Sequence, residues 1–221
     1  NFVENFYGNI LNLKRIPNVQ LPENRLMIRY IAGESELKFI VDKKNESLVN
    51  NKPSKFYGIA KLTLYFPIES KDKILNRLRE NQLEILNYEE NIINNINTIK
   101  IDLLDFEKNA IELIFIKEEF RHYKYNYSKI NVNVSDLTEA DNYFSKTLGL
   151  EKINLQNENI YKMGKTLIGV DKNINSKNNY VGMPNEIVGM SLIQFVVKDI
   201  TFSRNEILKR GGEIYIEPYK I

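Results

Sequence analysis

The chain states one motif twice: Glu4-Asn5-Phe6-Tyr7-Gly8-Asn9-Ile10-Leu11-Asn12-Leu13 returns as Asp141-Asn142-Tyr143-Phe144-Ser145-Lys146-Thr147-Leu148-Gly149-Leu150. A repeat at about half the chain length signals duplicated supersecondary units, which bury their apolar faces against one another. In the first copy Val3, Phe6, Tyr7, Ile10, Leu11 and Leu13 fall at helical spacing, and Asn12 is suited to a left-handed cap.

The segments around the motif follow one cycle. Residues 25–30 and 36–41 alternate as strands, and a polar linker follows over 42–54. A second cycle opens with a strand over 59–66 that Pro67 stops. It continues through a helix over 70–81 with Ile74, Leu75 and Leu78 on its apolar face, then strands at 84–86, 98–104 and 110–116. The third has a strand over 129–134, a helix entered through Ser135 or Asp136, and strands at 150–155, 160–163 and 166–170. A fourth starts with a strand over 191–197 and a helix over 202–210, stopped by Gly211-Gly212, and adds a strand over 213–216. The pattern predicts an α+β chain of four tandem βαβββ modules, with the outer modules truncated. Its expected halves are 1–120 and 129–221, joined by a linker over 121–128. Pairing within one chain makes a monomer the simplest assembly.

Composition narrows the chemistry. The 221 residues are 43% hydrophobic and 27% charged, with a net charge of +2, so no electrostatic footprint for nucleic acid or an anionic membrane is visible. Zero Cys removes disulfides, thiolate nucleophiles and Cys-ligated zinc. The only imidazole is His122, in a basic, tyrosine-rich stretch that reads as surface. Apolar runs such as 111–116 fall short of the ~20 residues of a membrane span, so no membrane partner is expected.

The run Ile130-Asn131-Val132-Asn133-Val134-Ser135-Asp136-Leu137-Thr138-Glu139-Ala140-Asp141-Asn142-Tyr143-Phe144 closely resembles the module signature of the vicinal oxygen chelate superfamily, which includes glyoxalase I, extradiol dioxygenases and bleomycin-resistance proteins. Val196-Val197-Lys198-Asp199-Ile200, followed by Glu206-Ile207-Leu208-Lys209-Arg210-Gly211-Gly212, resembles the second-module signature of the same group. The match is nearest to glyoxalase I-like proteins. The resemblance implies that the four modules pair into two curled-sheet cups, with a divalent metal inside the cup on His, Gln or Glu side chains from the first and last strands of paired modules.

Carried onto this chain, that implication favours Glu112, between Ile111 and Leu113, as metal ligand or catalytic base. Its alternative is a solvated strand carboxylate opposite a Lys. The equivalent position in the first unit is Lys38, with Glu36 two residues earlier as a possible ligand if the register slips. Lys61, or Thr63 in another register, stands on the second unit's opening strand. Lys129, Ile168 and Leu192 stand at the matching positions of the second half. An ammonium and two aliphatic groups cannot hold a dication. Lys61 and Lys129 could instead bind an acidic ligand, such as the carboxylate of a glutathione conjugate, or simply reach solvent.

Two functions follow from the resemblance. One is a glyoxalase-like small-molecule binder or scaffold with degenerate metal sites. The other is a metal-dependent lactoylglutathione lyase, with zinc or nickel as cofactor only if strands beyond the sequence supply ligands. Relatives of this type occur in cytosol, mitochondria and plastids, so the compartment stays open.

Overall fold

The computed structural model describes residues 1–41, 58–93, 96–117, 128–155, 158–173 and 189–219. Eight strands form one mixed sheet: β4 (Gly58–Pro67), β5 (Ile85–Ile93), β6 (Ile96–Leu104), β7 (Ala110–Ile116), β8 (Ser128–Val134), β9 (Glu151–Leu155), β10 (Glu158–Met163) and β11 (Thr166–Lys172). Their order is β5-β6-β7-β4-β8-β11-β10-β9. The first unit contributes β4 and β7 as a parallel pair, and the second contributes β8 and β11 in the same way. The two opening strands, β4 and β8, then pair antiparallel and join the units. Three further strands, β1 (Lys14–Gln20), β2 (Leu26–Ala32) and β3 (Ser35–Val41), make a separate sheet.

Helices cover one face of the eight-stranded sheet. α1 (Glu4–Ile10) and α2 (Lys71–Glu80) bring Phe6, Tyr7, Ile10, Ile74, Leu75 and Leu78 into one core with Ile28 and Tyr30 of β2. The same core takes Leu62, Leu64 and Phe66 from β4 and Ile111, Leu113 and Phe115 from β7. A second core lies under α3 (Leu137–Asp141, running on as Asn142–Thr147), where Ala140 and Phe144 meet Tyr161, Ile168 and Val170. Asp136 caps α3 by accepting from the backbone N–H groups of Thr138 and Glu139, and Asp199 accepts from Phe202 at the start of α4 (Ile200–Lys209). No helix among the described residues is long and apolar enough to cross a membrane.

The repeat is visible in hydrogen bonds. Leu11 N–H donates to Phe6 O at 3.0 Å and Leu13 N–H to Tyr7 O at 2.9 Å; Leu148 donates to Tyr143 O and Leu150 to Phe144 O, both at 2.9 Å. Asn12 (φ 57°) and Gly149 (φ 72°) take the same left-handed step at the two ends.

The structure departs from the sequence expectation in several places. Residues 191–197 and 213–216 join no strand ladder, because alternation makes a strand only where a neighbour supplies hydrogen bonds. Two complete βαβββ units are described, with β1–β3 before them and α4 after them. β1 was not expected, since its side chains are almost all exposed and it contains Pro17. The eight-stranded sheet takes one unit from each expected half. Residues 121–127 of the expected linker, His122 among them, lie outside the described residues, and Ser128 already belongs to β8.

Candidate functional site

Alternation along the central strands sets the site. Leu62, Leu64 and Phe66 face the core, so Lys61, Thr63 and Tyr65 face the other side; Ile111 and Leu113 do the same for Glu112. Register then lines up Asp102 of β6, Glu112 of β7, Thr63 of β4 and Lys129 of β8 across four adjacent strands. In the next row Lys61 pairs with Asn131, and Asn131 with Gly169.

Glu112 is the centre of this row and only 4% exposed. Thr63 Oγ1 donates to Glu112 Oε1 at 2.7 Å, and Lys61 Nζ donates to Oε2 at 2.8 Å. Asn131 Nδ2 in turn donates to Thr63 Oγ1 at 3.0 Å. Asp102 Oδ1 lies 3.6 Å from Lys61 Nζ, and Lys100 Nζ sits within 3.6 Å of Glu112, Asp102 and Glu89. Burial alone would push the Glu112 carboxyl up; the charge and hydrogen bond of Lys61, the Thr63 bond and the charge of Lys129 outweigh it and hold it below its ordinary value. Burial pulls Lys100 down, yet Asp102, Glu112 and Glu89 together hold it above the usual lysine value.

The second unit keeps the geometry and changes the chemistry. Thr63 beside Glu112 corresponds to Asn131 beside Gly169, since each pair joins an opening strand to its parallel last strand. The sequence reading placed Ile168 at this position. Ile168 instead faces the second core, fully buried with Phe144 and Tyr161, and strand alternation turns Gly169 to the site face. Lys129 is 8% exposed and donates to Glu158 Oε2 at 3.0 Å.

The structure does not bring Glu36 to Glu112. Glu36 lies on β3 of the three-stranded sheet, where Arg29 grips it in a fork at 2.9 and 3.2 Å and holds its carboxyl below the ordinary value. Lys38, also on β3, donates to Gln194, while Leu192 is exposed. Among the described residues no group of three or more His, Cys, Asp or Glu could hold a metal ion. Sequence reasoning missed Asp102, Lys100, Asn131, Gly169 and Glu158. The one signal for them was local: a Gly inside a strand marks a close approach, and a Cβ on Gly169 would stand 2.8 Å from Asn131 Oδ1.

Comparison with known proteins places this architecture. No family model and no curated protein matches the chain. Among solved structures, a glyoxalase I mutant from Zea mays superposes with a TM-score of 0.55 at 12% identity, over 76% of this chain and 62% of that one. The fold is that of this glyoxalase I structure. A "putative dioxygenase" from Bacillus subtilis subsp. subtilis str. 168 gives the same TM-score of 0.55 at 11% identity, over 76% of this chain and 58% of its own. The chain thus spans about three-fifths of the length of those two proteins. Glu112, Thr63, Asn131 and Gly169 lie in two neighbouring rows, on the first and last strands of two adjoining units.

Proposed function

We propose that this chain is a glyoxalase-like protein that binds a small organic molecule, or serves as a scaffold, with an ion-pair network standing where its fold relatives would hold a metal. The observation that carries this reading is the 2.8 Å contact of Lys61 Nζ with Glu112 Oε2. The carboxylate's other oxygen is taken by Thr63, and the second unit offers an amide, a glycine and an ion-paired lysine. A hard or borderline dication needs several free oxygen or imidazole donors, and this set does not fit one. No catalytic step through a metal is therefore assigned to these residues, and Glu112 serves as a structural anion.

An acidic ligand such as a glutathione conjugate would meet two paired lysines. Lys61 is held by Glu112, whose side chain is nearly inaccessible, whereas Lys129 is held by Glu158, which is partly exposed. The Lys129 pair opens at lower cost, so Lys129 is the better of the two for a ligand carboxylate.

The test uses purified protein. Metal analysis should find only substoichiometric metal, and nickel or zinc chloride should leave the melting temperature unchanged. S-hexylglutathione should raise it saturably, by the linkage expected of a ligand that binds only the folded state. Lys129→Met should abolish that rise. Tight, stoichiometric nickel or zinc that stabilises the protein would overturn the reading and favour a metal-dependent lyase.

A further inference from the structure

We infer that Glu112, Asp102 and Thr63 form a binding cradle for a primary ammonium group, and that Lys61 fills it from within the chain. The inference deepens the metal-free reading of this site and rests on it. A carboxylate as deeply buried as Glu112 requires a counter-charge, since desolvation without a partner costs several kcal/mol. The charge it has found is a tethered one. Lys61 Nζ lies 2.8 Å from Glu112 Oε2 and 3.6 Å from Asp102 Oδ1, an oxygen that is itself buried and makes no hydrogen bond. Lys100 does not substitute for it, because its ammonium is 3.6 Å from Glu112 and shared with Asp102 and Glu89.

The donor set of the cradle favours an ammonium over a metal ion. Thr63 Oγ1 gives its proton to Glu112 Oε1 and accepts from Asn131 Nδ2, so Oε2 is the Glu112 oxygen left to face the cation. The 2.8 Å contact of Lys61 with Glu112 is an ammonium hydrogen bond, and the 3.6 Å contact with Asp102 is an ion pair beyond hydrogen-bond range. Access is available along the lysine stem. The Lys61 side chain is 31% exposed while that of Glu112 is 5% exposed, so truncating the stem opens a path from solvent to the buried carboxylate.

Lys61→Ala keeps Cβ and leaves room for a two-carbon amine. At neutral pH this variant should melt several degrees below the wild type, and millimolar ethylammonium chloride should restore most of the loss saturably. Wild type, whose cradle is filled, should not respond. Neither should Lys61→Ala/Glu112→Gln, nor Lys61→Ala treated with tetramethylammonium or sodium chloride at equal ionic strength. Equal rescue of the double variant, or equal rescue by tetramethylammonium, would overturn the proposal, as would stronger stabilisation by nickel or magnesium. Should Lys61→Ala fail to fold, Lys61→Met serves instead, read by carbon-detected NMR titration of the Glu112 carboxyl. Its midpoint should rise above the wild-type value once the ammonium is gone, and an unchanged midpoint would refute the cradle. Metal content of the wild type tests the metal-free reading separately, so the two can fail independently.

Discussion

The two units of the eight-stranded sheet share a path and differ in what they bury on one face. In the first, the last strand presents Glu112 to Thr63 and Lys61; in the second, the equivalent strand presents Gly169 to Asn131 and Lys129. The core faces show no such divergence: Leu62, Leu64 and Phe66 of one opening strand answer to Ile130, Val132 and Val134 of the other. Core packing specifies the fold, and it tolerates almost any chemistry on the opposite side of the same strands. A charged residue survives there only if its partners survive with it.

Removing Glu112 should therefore be the most damaging change on this face. Glu112→Gln leaves the Lys61 ammonium without its closest carboxylate and should cost about 3 kcal/mol in urea unfolding at pH 7. Replacing the pair together, as Lys61→Met/Glu112→Leu, should recover much of that. The pH dependence has a fixed sign. Because folding depresses the Glu112 carboxyl, its contribution is complete above the unfolded carboxyl value and is lost as pH falls through the lower, folded one. The gap between wild type and Glu112→Gln should thus be full at pH 7 and close below about pH 4. A gap that persisted into acid would mean that shape rather than charge explains the cost.

The second unit offers the opposite experiment. Gly→Ala within a strand ordinarily gains about 0.5–1 kcal/mol. At Gly169 the added Cβ would meet Asn131 Oδ1 at 2.8 Å, and Asn131 is buried and committed to Thr63. Gly169→Ala should accordingly lose about 1–2 kcal/mol in thermal unfolding. A stabilised variant would show that Asn131 is free to move and that the two units are not locked together through the Thr63 bond.

How much of this was readable beforehand depends on what each feature needs to exist. The helix ends and the strand over 110–116 were legible because local spacing and cap residues determine them. The ladders expected at 191–197 and 213–216 did not form, although alternation is present there, since a ladder also requires a neighbour that local sequence does not contain. The site shows the same division. Glu112 was singled out through the family resemblance, by a Glu between apolar neighbours, whereas Asp102 and Asn131 reach it only through cross-strand register, which no single segment encodes. One residue of register also separated Ile168, in the core, from Gly169, at the site.

The smallest expected effect probes the repeat itself. Asn12 and Gly149 both take the left-handed step after a helix closed by the same hydrogen bonds, so the motif should depend on that conformation rather than on either side chain. Asn12→Gly should shift stability by only a few tenths of a kcal/mol, because both residues accept positive φ at little cost. Asn12→Ala should cost about 1 kcal/mol, since alanine has no local hydrogen bond to offset left-handed strain. Gly149→Ala should cost at least as much, because the Arg210 guanidinium occupies the place of the new Cβ and must swing away. Arg210 is exposed and also paired with Glu206, so that displacement adds little. Thermal melts of the three variants would give the ranking directly, and an alanine that proved neutral at both positions would show that the repeated hydrogen bonds, not the left-handed residue, end these helices.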